Sequence, residues 1–400
     1  MSGSKGPLHG IRVADFSRVI AGPLASMHLA DLGADVVKIE HPAGGDDTRG
    51  YVPPDYHGFS AAFLCFNRNK RSIALDLAVE EGRATARALI DAADVVIENF
   101  STGVMAKFAL DYESVKRPDL IYCSTSAYGR TGPFLKRLGY DPVAQAESGF
   151  MSLSGHTHQE PVRTAIPMID VSTGLTGGAG VLAALYHRKR TGEGQFLEVP
   201  LFDTGFYQTA MHSAGYMLDG TVPERIGNGD YFMAPVGRYA CADGEIAVAV
   251  ETDGQFDGLC QALGMEARGT WVGNPARVAD RAALDEAVSA ALAPLTLTEA
   301  LVSLQAAGVP CHEAREVPAA YSDPAAAALL SPIPHPEIGE APNMPGPLVL
   351  EGTPVREPVA APLLGHHADA VLAEWLGYSE GQVQAVRDAG AMGQAGEAAA

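Results

Sequence analysis

Short apolar runs alternate with stretches of helical spacing through the first third of the chain. Ile11–Phe16, Val36–Glu40, Ser72–Asp76, Val95–Asn99 and Leu120–Ser124 read as strands, while Pro23–Leu32 and Val79–Ala92 carry the three-to-four-residue apolar period of a helix. Strands that are apolar at consecutive positions are covered on both faces, so the alternation predicts an α/β layer built on a parallel sheet. Gly22-Pro23 supplies a tight turn and a first helical position directly after the first strand. Further along, the pattern predicts a helix from about Asp170 to Lys189, a strand at Gln195–Pro200 and a helix from about Asp203 to Leu218. Tyr239–Val250 alternates around Asp243-Gly244, a hairpin signal, and helices are expected at Asp253–Leu263, Arg281–Ala293 and Leu297–Ala307. Ser331–Pro362 holds nine prolines and excludes long helices, after which Leu363–His367 opens a last helical segment. These boundaries divide the chain into a large domain at 1–200, a linker helix at 201–226, a small α+β domain at 227–325, a return segment at 326–390 and a disordered tail at 391–400.

Composition narrows the class. With 400 residues and 47% hydrophobic content the chain can bury a substantial core, and no run of roughly 18 apolar residues marks a membrane span. A net charge of −20 would be repelled by nucleic acid and by anionic membrane, so neither is expected as a partner. Sixteen of the 28 Lys and Arg residues nevertheless lie in the first 140 positions, enough for a local patch that could take a small polyanion. The five cysteines are scattered, with no C-x-x-C pair, and predict neither a disulfide framework nor a zinc site; a cytoplasmic protein is expected. His156, His158, His366 and His367 lack Cys or carboxylate neighbours at ligand spacing. No G-x-G-x-x-G follows the first strand and no P-loop occurs, which argues against nicotinamide and P-loop nucleotide chemistry.

Asp170 is the leading candidate for chemistry. It stands between the apolar stretch Ala165–Ile169 and a helix start rich in glycine (Gly174, Gly177, Gly178, Gly180). A carboxylate there is partly desolvated, and the unpaired N–H groups of the following turn are expected to keep it ionised. The simpler role for such an Asp is to cap the helix. The glycines, for their part, suit close packing of the helix on the sheet, and Asp141 is expected to cap a helix of its own.

Several separate blocks decide between these roles: Asp15–Pro23, Leu32–Glu40, Asn67–Asp76, Asp94–Phe100, Gly139-Tyr-Asp141 and Arg190–Gln195. In order and spacing they resemble the class III CoA-transferase family, which includes formyl-CoA transferase, carnitine CoA-transferase and alpha-methylacyl-CoA racemase. The resemblance implies a large Rossmann-like, CoA-binding domain with a smaller α+β domain, and a homodimer of interlocked rings. It implies Asp170 as nucleophile, with Tyr140 positioning the acyl and pantetheine end. CoA contacts carry over to Ile20, Ala21, His41, Leu75, Ala78, Asn99, Phe100, Ser101, Lys107, Arg137 and Tyr140. Acyl-CoA and a small carboxylic acid would be the substrates, with no permanently bound cofactor. The chain departs from formyl-CoA transferase at Ile20, where that enzyme has glutamine, at His41, where it has arginine, and at Lys107, which replaces an arginine. Loss of the glutamine amide puts formyl or oxalyl specificity in doubt.

Tyr140 separates the branches. The racemase branch has a histidine base there, and a phenol of pKa about 10 is a poor substitute for moving a proton alpha to a thioester. A CoA-transferase working through an aspartyl anhydride and an aspartyl-CoA thioester is therefore expected, with succinyl-CoA as one candidate donor. Two alternatives remain: an acyl-CoA racemase without the histidine, and a non-catalytic acyl-CoA-binding protein. Arg163, Arg225 and Arg238 are candidates to hold the far carboxylate of a dicarboxylate.

Overall fold

The computed structural model describes residues 5–266 and 269–393. They fall into two compact units: residues 5–148, 165–207 and 328–393 form the first, and 149–164, 208–266 and 269–327 the second.

The first unit is built on six parallel strands: β1 Arg12–Asp15, β2 Asp35–Glu40, β3 Lys70–Ala74, β4 Val95–Glu98, β5 Ile121–Ser126 and β6 Phe196–Pro200. Their order is β3-β2-β1-β4-β5-β6. Alternate residues of each strand serve opposite faces. Val13, Val36, Val95 and Ile97 pack under helices α1 (Ala21–Asp31) and α4 (Met168–Thr191), with Leu29, Val181 and Ala184. Ala14, Val37, Val96 and Ile73 face the other way, toward Leu89 and Ile90 of α2 (Glu80–Ala92). That is why the strands read as unbroken apolar runs. The strand order reverses between β1 and β4, so the loops leaving their carboxyl ends diverge and open a crevice, the usual ligand site of an open parallel sheet.

Two glycines set how closely α1 can lie. A Cβ on Gly174 would stand 2.7 Å from the Ala21 carbonyl oxygen, and one on Gly22 would stand 2.3 Å from the Ser17 Cβ. Gly177 and Gly178 have ordinary clearance, so the small-residue requirement on α4 is concentrated at Gly174. α4 is long and apolar enough to cross a membrane by composition, but half of its apolar window is buried against the fold. It ends at Gly192, φ 82°, after Arg188, Lys189 and Arg190, which complement the carbonyl end of the helix. α3 (Asp141–Glu147) precedes α4, and α5 (Leu201–Asp219) follows β6.

The second unit has a three-stranded antiparallel sheet, with β8 (Glu245–Ala249) between β7 (Val236–Ala240) and β9 (Cys311–Glu313). Helices α6 (Asp253–Leu263), α7 (Arg281–Leu292) and α8 (Leu297–Ala306) close its core around Phe256, Trp271 and Leu284. Residues 149–164 belong to this unit rather than to the one that precedes them in sequence. Arg225 ties them in, donating to the carbonyls of Ser152 (3.3 Å) and Gln159 (2.8 Å).

The chain then returns to the first unit through a proline-rich stretch whose regular structure is a short ribbon, Ile333–His335 with Gly339–Ala341. α9 (Ala368–Leu376) and α10 (Glu380–Asp388) complete the packing with Leu372, Trp375 and Val383. The tail expected to be disordered from 391 is ordered at its first residues. Ala391 and Met392 are buried; the Ala391 carbonyl accepts from the Asp76 N–H at 2.8 Å, and Met392 bridges to Leu75. Residues 394–400 of that segment lie outside the described residues.

Candidate active site

Beneath the crevice lies a buried ionic cluster. Lys38 Nζ is 2.8 Å from Asp46 and donates to the Ser17 carbonyl at 2.6 Å. Lys70 Nζ meets Asp15 at 3.1 Å, the Pro23 carbonyl at 2.9 Å and Asn67 at 2.8 Å. Burial alone would raise the Asp15 carboxyl, but Lys70 and Lys38 outweigh it and hold it below the usual range. Burial pushes Lys70 the other way, down to about 8. Glu40 receives two bonds from Arg49, at 2.7 and 2.8 Å, and one from Ser72 at 2.7 Å. Arg68 pairs with Asp31, and Arg71 with Asp35. Much of the basic charge in the first 140 residues is thus spent inside the fold rather than offered to a polyanion.

The cluster fixes the loop after β1. Val19 has φ 69°, a left-handed conformation that costs a β-branched residue about 1–3 kcal/mol. Its N–H is held by Asp46 at 3.1 Å. Arg18 is clamped on both sides by Asn99, whose amide oxygen accepts from the Arg18 N–H (2.8 Å) and whose amide nitrogen donates to the Arg18 carbonyl (2.6 Å). The loops leaving β1 and β4 are therefore locked to each other. A second clamp is Arg130, which donates to both Glu98 oxygens (2.8 and 3.0 Å), to Ser124 (2.7 Å) and to Thr102 (3.2 Å). Burial keeps the Glu98 carboxyl above its ordinary range in spite of Arg130.

Two adjoining cavities open over this floor, both lined by Arg18 and Phe100. One, of about 200 Å³, contains Asp170, Tyr140, Arg137, Ile20, Ala21, Asn99 and Ser101. The other, of about 260 Å³, is more apolar and is lined by Phe16, Ile39, His41, Leu75, Ala78, Phe100 and Phe108. Every catalytic or CoA-contact residue carried over from the family resemblance lines one of the two except Lys107, whose ammonium lies 5.4 Å from the Phe108 ring at the edge of the second. Arg137 packs against the Tyr128 and Phe134 rings (4.9 and 5.0 Å) and pairs with Glu147 at 2.5 Å.

Asp170 departs from expectation in an informative way. It does not precede α4 but is its third residue, 8% exposed, and its side chain makes no cap. The first-turn N–H groups are taken by Asp141 instead: its Oδ2 accepts from the Ile169 N–H at 2.8 Å and from the Asp170 N–H at 3.2 Å. Its Oδ1 accepts from Gln145 at 2.6 Å. Asp141, expected to cap its own helix, thus serves the next one. Deprived of those donors, Asp170 is not kept readily ionised. Burial, reinforced by the Asp141 charge, pushes its carboxyl up to about 7.

Sequence reasoning missed Arg18, Arg130 and Tyr51. The Tyr51 phenol, 46% exposed, is raised by burial and by neighbouring charges that include Asp47, Asp46 and Asp170. Nothing local in its sequence marked it. The expected dicarboxylate clamps fare differently. Arg238 pairs with Glu245, Arg225 is engaged by backbone carbonyls, and Arg163 donates to the Thr164 carbonyl.

The two cavities thus lie at the reversal point of a parallel sheet, one holding a desolvated carboxylate and the other an apolar slot. The profile of CoA-transferase family III matches residues 8–368. The chain belongs to that family. It is a CoA-transferase. A succinate–glutarate CoA-transferase of Agrobacterium fabrum is 38% identical over 387 residues, covering 94% of this chain and 97% of that protein. A succinyl-CoA:glutarate CoA-transferase of Mus musculus is 33% identical over 396 residues, covering 97% of this chain and 91% of the relative. Among solved structures, a CaiB/BaiF family protein from Brucella suis aligns with a TM-score of 0.81 at 37% identity, over 92% of this chain and 99% of that one.

Proposed function

We propose that this CoA-transferase moves CoA from succinyl-CoA to a small dicarboxylic acid through covalent intermediates on Asp170. The observation that carries the reading is the position of Asp170: a buried carboxylate opening into the cavity formed by the loops of β1, β4 and β5. An Asp170 oxygen attacks the donor thioester carbonyl, the C–S bond breaks, and CoA leaves as thiolate from an aspartyl–succinyl anhydride. The thiolate attacks the aspartyl carbonyl of that anhydride, forming an aspartyl-CoA thioester and releasing succinate. The acceptor carboxylate then attacks the thioester, and the thiolate returns to the acyl carbon of the new mixed anhydride, regenerating Asp170. Tyr140 and Tyr51 would line the acyl end. The apolar cavity with His41, Leu75, Ala78 and Phe100 would take the adenine, and Lys107 at its edge a phosphate. The names of the relatives support succinyl-CoA as donor and glutarate as a first acceptor to test. The same reading makes the protein a cytoplasmic enzyme with no resident cofactor. It also makes it a homodimer of linked rings, supported by Leu175, Leu182 and Tyr186, which leave one side of α4 apolar and exposed.

The test is intact-protein mass spectrometry after incubation with succinyl-CoA, beside an Asp170→Asn variant. A CoA adduct on Asp170, absent from a variant that still binds CoA but does not transfer it, is the expected result. Transfer that persists in the variant would refute the mechanism.

A further inference from the structure

The α4 N-terminus has its first-turn donors aimed at the wrong aspartate for simple stabilisation of a nucleophile. Asp170 sits within that turn, yet the N–H groups of residues 169 and 170 both point to Asp141 Oδ2, at 2.8 and 3.2 Å. Asp141 is 2% exposed and fixed from its other side by Gln145. The helix end is thereby occupied by a carboxyl group next to the one that must react. The other charged groups sharing the cavity are largely committed elsewhere: Arg18 to Asp47, Arg130 to Glu98 and Arg137 to Glu147. Tyr140 lines the same cavity as Asp170, and the first turn of α1 brings no acidic group.

We propose that Asp141 is a positioning residue that withholds the first-turn amides of α4 from Asp170 and destabilises its free carboxylate relative to its acylated forms. This rests on Asp170 being the acylated residue. When Asp170 becomes an anhydride or thioester it loses its charge, and the repulsion from Asp141 disappears with it. When the acyl group departs, the repulsion returns. Asp141 therefore biases the equilibrium toward the covalent enzyme and raises the reactivity of the attacking oxygen, while the first turn stays capped throughout the cycle. In the free enzyme burial raises the proton affinity of Asp170 and the Asp141 charge adds to it.

The test compares wild type with two neutral variants, Asp141→Asn and Asp141→Ser, which keep an acceptor for the α4 amides. Gln145→Met, which loosens Asp141 but keeps its charge, is the control. Two quantities are read: the fraction of enzyme carrying CoA on Asp170 at equilibrium with succinyl-CoA and succinate, and the acidic limb of kcat/KM against pH. In the neutral variants the limb should move to lower pH by roughly one unit, and adduct occupancy should fall several-fold; Gln145→Met should leave the limb in place. Unchanged limb and occupancy in whichever neutral variant folds would overturn the proposal. So would a shift in Gln145→Met equal to theirs, because the role would then be structural. Absence of any adduct in wild type would instead refute the nucleophile assignment itself.

Discussion

Replacing Asp170 by asparagine is expected to stabilise the protein, and increasingly so as the pH rises. The folded carboxyl holds its proton up to about 7, whereas an ordinary aspartate releases it near 3.8. Between those values the folded state binds more protons than the unfolded one, so stability falls as pH rises through the window and is lowest above 7. The gap amounts to about 4 kcal/mol when both states are ionised, since each pH unit of difference is worth about 1.4 kcal/mol. At pH 5, where the unfolded state is largely ionised and the folded state is not, the penalty is roughly 2 kcal/mol. Asparagine has nearly the same shape and no charge to desolvate, so the variant should escape both. Urea unfolding of the two proteins at pH 5 and pH 8 measures the difference. The advantage of the variant should grow by about 2–3 kcal/mol between the two pH values. Any difference in packing or hydrogen bonding between the two side chains is the same at both pH values and cancels from that growth. Parallel stability curves from pH 5 to pH 8 would mean that Asp170 is ionised in the fold at ordinary cost, and that Asp141 does not deprive it of the α4 amides.

The same protonation governs turnover: kcat/KM for acyl-CoA should fall about tenfold per pH unit below about 7 and level off above it, a profile read directly from initial rates. Arg130→Ala strands the Glu98 carboxylate, which is 3% exposed, and separates the β4 and β5 loops; a loss of about 3–5 kcal/mol in stability is expected, with a raised KM for acyl-CoA. Gly174→Val drives a side chain into the Ala21 carbonyl and Leu24, and should lower the unfolding free energy by about 1–3 kcal/mol. Tyr51→Phe should leave the Kd of CoA, measured calorimetrically, unchanged while slowing transfer, because the phenol feels the Asp170 charge and is not among the residues lining the apolar slot.

What could be read from the chain, and what could not, follows the distance over which each feature is decided. The parallel strands announce themselves because each is apolar on both faces. The β7–β8 hairpin shows because its turn is local. Boundaries set by remote partners are less visible. β3 begins at Lys70 rather than Ser72 because Lys70 finds Asp15 and Asn67, and Arg71 finds Asp35 and Glu374, none of which a window of sequence reveals. Ala391 and Met392 look like tail but are pinned to Asp76 and Leu75. Residues 149–164 lie between elements of one unit yet belong to the other, through Arg225. The site divides in the same way. The residues that line the cavities could be named because the blocks containing them keep a fixed register. The electrostatics could not, since burial of Asp170 is set by the tertiary fold and the charge that reinforces it is a carboxylate 29 positions away that any local reading assigns to its own helix. A nucleophile identified by residue type alone would be expected to enjoy the field of its helix. Here the first-turn amides are already engaged by Asp141, and burial together with that displaced cap raises the proton affinity of Asp170.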